Sequence, residues 1–281
     1  GAVTNLNDGY PFGIWIAYDV VVGSAFACGG YSMALLVYIF NKGQYHPLVR
    51  PALLASLFGY TLAGVSVIFD LGRWWNVWQI FWPGYAQVNS VMFEVAVCIT
   101  AYIVVMWIEF SPVFLEKLGM KDVKQKLNKL LFFFIALGVL LPSMHQSSLG
   151  SLLVIFGQQI HPLWQSGWML PVIYLMTAIL LGFAVVIFEA TLSSTGFNRP
   201  LETKVLTPLS RIMFWLLAAY VAVRVLDLVF RGALGTAFAA TWQAFWFWIE
   251  MACFVAPLVL LSTEQARRSA AKLFVGAVLL M

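Results

Sequence analysis

The 281 residues are 62% hydrophobic and only 10% charged, with a mean hydropathy of +0.89, whereas a soluble domain carries about 25% charged residues. Apolar runs of roughly 20 residues, long enough to cross about 30 Å of hydrocarbon, recur along the chain. They lack the period-2 alternation of barrel strands. The expected fold is therefore an all-α integral membrane protein, a polytopic bundle in contact with a lipid bilayer. The net charge of +4 makes no case for nucleic acid, because the basic residues fall in short loops between spans.

Seven full spans are predicted, at about 13–40, 48–70, 87–110, 129–156, 168–192, 208–230 and 242–262, and an eighth begins near 272. There is no repeat and no linker, so 1–281 reads as a single transmembrane domain. Neither end reads as natural. No initiator Met or signal peptide opens the chain, and "LFVGAVLLM" stops inside the eighth run, which leads us to expect a fragment of a larger bundle.

Span one contains "GSAFACGG", with small residues four apart (Gly23 with Ala27, Ala25 with Gly29), and span two has Ala55, Gly59 and Ala63. Such spacing lets two helices approach closely. The loops after spans one, three, five and seven hold 13 of the 16 Lys and Arg, including a lysine-rich loop at 117–129. The positive-inside rule makes that side cytoplasmic. The other side is aromatic (Tyr10, Phe12, Trp15, Trp74, Trp75, Trp78, Phe81, Trp82, Trp164 and Trp168), as an interfacial belt requires.

Ionisable groups within spans cost about 2.5–3.5 kcal/mol on insertion scales and so suggest function. Asp19 and Glu94 fall about two turns in from the aromatic side, and Glu250 two turns into span seven. Arg224 and Asp227, three apart on span six, can pair locally. Glu109 and Glu189 fall near the lysine-side ends of spans three and five. These carboxyls are candidate proton-transfer groups, since a carboxyl kept neutral by desolvation can ionise transiently.

Span four contains "LLPSMHQSSLGSLL". Pro142 removes a backbone donor and frees the carbonyl of Gly138, so a kink is expected there. His145 then falls roughly 24 Å from Lys129, at 1.5 Å per residue, in the outer third of the membrane. Polar groups at that depth belong to a cavity or a protein interior. "HQSSLG" is expected to line a pocket.

His46 and His161 fall in loops on opposite sides of the bundle, so no histidine pair is in place for a b-type haem. Cys28, Cys98 and Cys253 are scattered without CxxC spacing, so iron–sulfur or metal ligation in this chain is not expected either.

The segments "DGYPFGIWIAYDVVVGSAFACGGYSMAL", "NKGQYHPLVRPALLASLFGYTLAGVSVIFDLGRWWN", "VNSVMFEVAV", "LPSMHQSSLGSLL" and "HPLWQSGWMLP" resemble the NrfD/polysulfide-reductase family of membrane subunits. The likeness is strongest to its Hyb branch, the membrane subunits of quinone-reducing nickel–iron hydrogenases. It is dense over residues 3–192 and thins afterwards to "RVLDLVFRGALGTAF" and "FWFWIE". The resemblance implies a subunit in a bacterial or archaeal cytoplasmic (inner) membrane. It implies no haem or iron–sulfur cluster in the chain itself, and a menaquinone site near the periplasmic face. The implied partners are a periplasmic ferredoxin-like iron–sulfur subunit and the large and small subunits of a nickel–iron hydrogenase.

Carried over to this sequence, the resemblance points to Asp19, His145 and Gln146 at the quinone head group, with Tyr10, Arg73 and Trp74 as further candidates. The expected function is to pass electrons from the iron–sulfur partner to menaquinone. Proton uptake from the cytoplasm would run along Glu189, Glu109, Asp227, Glu250 and Glu94. The rival readings are a related subunit serving a sulfur-compound or multihaem-cytochrome complex, a secondary transporter, or a structural anchor.

Overall fold

The computed structural model describes residues 17–71 and 73–281. Tyr10 lies outside the described residues, as do Phe12 and Trp15. Every element among the described residues is helical. Among the described residues, seven helices are long and apolar enough to span a membrane, and an eighth is shorter.

We number them α1 (Tyr18–Ile39), α2 (His46–Asp70), α3 (Val91–Lys117), α4 (Lys121–Ile155), α5 (Leu170–Gly196), α6 (Thr203–Phe230), α7 (Trp242–Leu260) and α8 (Ala270–Leu280). The fold is the expected polytopic bundle. Its two ends are called here the tryptophan-rich end (loops 71–90, 156–169 and 231–241) and the lysine-rich end.

Three elements differ from the sequence expectation. α1 is not one regular helix. π-helical turns at Ala17–Gly23 and Leu35–Ile39 flank α-helical turns, with a local turn at Ala27–Cys28. This is where the chain packs closest. The amide of Gly30 donates to the Ser56 hydroxyl at 2.6 Å, and a methyl on Gly59 of α2 would lie 2.8 Å from the Ala27 side chain. The small residues of "GSAFACGG" therefore do bring α1 against α2. They also admit α5, since a methyl on Gly182 would collide with the Cys28 carbonyl.

The lysine loop is the second difference. α4 begins at Lys121, and only Leu118–Met120 separate it from α3, with Gly119 at a φ of 72°. A glycine takes that left-handed turn without strain, so Lys117 ends α3 and Lys121, Lys124, Lys126 and Lys129 lie on the first turns of α4 rather than in a loop. Lys124 there meets Glu116 at 2.8 Å, an exposed pair worth little on its own.

Third, α3 starts at Val91 after the extended residue Ser90, so Glu94 lies in its first turn, shallower than two turns. A carboxylate in that position faces the positive end of the helix dipole.

The main core is formed by α1, α2, α5, α6 and α8 around Met33, Phe183, Ile187, Met213 and Leu273. Phe69, Phe132, Trp215 and Phe230 point outward, as lipid-facing surfaces require.

Candidate functional site

α4 passes through Pro142 without interruption. One turn on, its polar residues turn into the bundle. His145 and Gln146 have no exposed surface.

The hydrogen-bond directions follow from geometry. His145 Nδ1 is 3.0 Å from the Leu141 carbonyl, which can only accept, so Nδ1 bears the proton. Nε2 is then an acceptor, and the Tyr60 hydroxyl of α2 donates to it at 2.9 Å. Tyr60 is itself fully buried, packed edge-on against Tyr102 with ring centroids 4.8 Å apart.

The Ser24 hydroxyl donates to the Val20 carbonyl at 2.5 Å, which leaves its oxygen free to accept from Gln146 Nε2 at 3.1 Å. Gln146 Nε2 also lies 3.2 Å from His145 Nε2 and 3.5 Å from Cys28 Sγ. Three helices thus contribute to one buried hydrogen-bonded network, in which Tyr60, His145, Ser24 and the Gln146 amide nitrogen satisfy one another.

Gln146 has a second aspect. Its Oε1 has no hydrogen-bond partner, and the residue forms part of the wall of a cavity of about 630 Å³. The rest of that wall is largely apolar, including Val21, Phe26, Leu153, Ile173 and Phe254. Its polar members are Tyr174, Thr177, Tyr220, Arg224, Glu250 and Trp164. Leu280 and Met281 close one side.

Arg224 is 3% exposed and its Nε has no partner. Trp164 Nε1 donates to Glu250 Oε2 at 2.5 Å, joining the 156–169 loop to α7.

The expected local pair of Arg224 with Asp227 does not form. Asp227 instead pairs with Arg231 at 2.7 Å, one turn further along α6. It also accepts from the Ser166 hydroxyl at 2.7 Å, while Arg224 Nη1 approaches Ser166 Oγ at 3.2 Å. The i,i+4 partner wins because its guanidinium grips both carboxylate oxygens and still reaches the Pro162 carbonyl at 2.8 Å. Released from Asp227, the side chain of Arg224 lines the cavity.

Of the residues singled out from sequence, Gln146 and Glu250 meet at the cavity. His145 lies behind Gln146 in the polar network and is not part of this cavity's wall; Tyr60 and Leu141 occupy its two ring nitrogens. Asp19 is half-buried on the first described turn of α1, beside the wall residues Val21 and Val22. Arg73 and Trp74 are exposed at the tryptophan-rich end and do not line the cavity. Glu94 and Glu109 lie 15 residues apart on α3, roughly 22 Å along the axis. Glu189 is half-buried near the lysine-rich end of α5.

Sequence reasoning missed Tyr60, Cys28 and Ser24, because each sits in a small-residue stretch that reads as packing. Trp164, which in sequence reads chiefly as one of the belt aromatics, is on the cavity wall.

The helices and this site define a class: a multi-pass membrane protein with a sealed polar network beside an apolar cavity in the half of the bundle near the tryptophan-rich end. The chain belongs to the family described as "Polysulphide reductase, NrfD", which matches it over residues 2–281. It is 50% identical over 279 residues to the "Probable Ni/Fe-hydrogenase 2 b-type cytochrome subunit" of Escherichia coli (strain K12), covering 99% of this chain and 71% of that one. A protein of Nitratidesulfovibrio vulgaris (strain Hildenborough) is 35% identical over 265 residues, covering 91% of this chain and 67% of its own length. The "Menaquinone reductase, integral membrane subunit" of the same organism is 31% identical over 163 residues, covering 56% of this chain and 38% of that one.

Proposed function

We propose that this chain is the quinone-reactive membrane subunit of a periplasm-facing nickel–iron hydrogenase complex in a cytoplasmic membrane. The observation that carries this reading is the cavity itself: a largely apolar slot whose wall includes Arg224 and Gln146, from different helices, each with a buried polar atom (Nε and Oε1) that has no hydrogen-bond partner among the described residues. Ligand sites have this composition, mostly apolar with a few convergent polar groups. The relatives' names supply the class of ligand and of partner, a menaquinone and a hydrogenase.

Quinone reduction adds two electrons and two protons to a ring with two carbonyl oxygens. The N–H of Arg224 Nε suits a carbonyl oxygen that gains negative charge, and Gln146 Oε1 suits a hydroxyl formed there. Glu250, held by the Trp164 N–H, is the cavity's proton-exchanging group. Electrons would come from a periplasmic iron–sulfur subunit docked at the tryptophan-rich end and served by the hydrogenase large and small subunits. Protons would be taken up from the lysine-rich, cytoplasmic end, where Glu189 and Glu109 lie, toward Glu250; the further candidates Asp227, paired with Arg231, and Glu94 lie near the tryptophan-rich end. The distribution of basic residues supports that orientation.

The E. coli relative is named a b-type cytochrome subunit, but the histidines here do not fit a haem. Both ring nitrogens of His145 are engaged, and His46 and His161 belong to opposite ends of the bundle. A second reading has one observation in its favour: the menaquinone reductase relative extends the same quinone role to another respiratory complex.

The test is Gln146→Leu in the intact complex. Quinone-linked hydrogen oxidation should fall at least tenfold while dye-linked hydrogen oxidation is unchanged. Equal rates with quinone in variant and wild type would refute the reading.

A further inference from the structure

Glu109 takes part in no hydrogen bond or ion pair among the described residues, and its Oε1 is buried without a partner. The carboxyl is aimed at α4. A methyl on Gly138 would sit 2.5 Å from Oε1, so the oxygen occupies the place where any other residue would put its side chain. Gly138 is four residues before Pro142, which has no N–H to give. The buried acid and the carbonyl released by proline therefore occur at the same turn of α4. Two phenols, Tyr38 and Tyr102, lie close enough to feel the charge of Glu109.

A buried carboxylate facing an orphan carbonyl would place two acceptors together with no donor, a costly arrangement in an apolar interior. A carboxylic acid removes both deficits at once, because its O–H is a donor.

We propose that Glu109 is held as the neutral acid, its proton donated to the Gly138 carbonyl that Pro142 leaves free. This makes the proline turn of α4 a proton-dependent joint. On ionisation the two oxygens repel, and the turn that opens is the one next to Ser143, which bonds Tyr31 at 2.8 Å, and to His145 and Gln146. Gly138 is required for lack of a side chain, and Pro142 for lack of a hydrogen. The assignment goes beyond the quinone reading and holds whether or not the cavity takes quinone.

The test is infrared spectroscopy of the purified intact complex at neutral pH. A carboxylic-acid carbonyl band should be present that Glu109→Gln removes. In Pro142→Ala the new amide occupies the Gly138 carbonyl, and the band should move to higher wavenumber as the acid loses its acceptor. Gly138→Ala, which displaces the carboxyl, should move it likewise. Glu109→Gln keeps a donor and should assemble with the wild-type melting temperature, whereas Glu109→Leu should melt lower. The assignment fails if no Glu109-dependent acid band exists, or if the band ignores both α4 substitutions. It also fails if sodium chloride abolishes the band, which would mark a cation site, or if the Leu and Gln variants melt together.

Discussion

The network around His145 and the cavity beside it share a wall at Gln146, and they handle polarity in opposite ways. On the α1–α2–α4 side the donors and acceptors of Ser24, Cys28, Tyr60 and His145 close on one another with no solvent exposure. On the α5–α6–α7 side, Arg224 is equally buried and lines the cavity, but its Nε has no partner among the described residues. A satisfied network specifies a structure, while unsatisfied groups beside a space call for a ligand. The comparison teaches that burial alone does not mark a reactive residue in this bundle. What separates the two sides is whether each buried polar atom already has its partner.

Substitutions can break or sharpen this contrast. The largest stability loss is expected from Asp227→Ala, which strands Arg231 and frees Ser166 at the base of the 156–169 loop. Removing one partner of a buried pair costs on the order of 3 kcal/mol, read as a fall in the melting temperature of the complex. His145→Leu should cost about 2 kcal/mol by leaving the Tyr60 hydroxyl without its acceptor, in the same assay. Tyr60→Phe, which deletes the hydroxyl's contacts with His145 and Cys28 but leaves His145 a neighbour in Gln146, should cost about 1 kcal/mol.

Glu250→Gln belongs to the other side of the comparison. It keeps an acceptor for Trp164 and should change stability by less than about 0.5 kcal/mol. It should nevertheless slow quinone-linked turnover by about 100-fold, the low end for loss of an acid–base group. A stability loss there as large as that of His145→Leu would erase the distinction between the two regions.

Much of the fold was legible because lipid imposes continuous apolar runs, and the spans could be counted from them. The irregularity of α1 was not: its turn at Ala27–Cys28 lies where Gly30 meets Ser56 and Gly182 meets Cys28, partners far along the chain. The polarity of "MHQSS" was plain. Which of its groups would be closed off was not, because that depends on Tyr60, 85 residues away in sequence from His145. Arg224 and Asp227 showed a pairing distance on one helix, but the competing Arg231 and the Ser166 hydroxyl decided the outcome.

Photo-crosslinking with an azido-quinone in the intact complex tests the central claim most directly. Labelled peptides should come from α4 around Gln146, from α5 between Ile173 and Leu181, and from α6–α7 around Arg224 and Glu250. Label confined to the exposed aromatic segment Trp74–Phe81, with the cavity helices unmarked, would contradict the account.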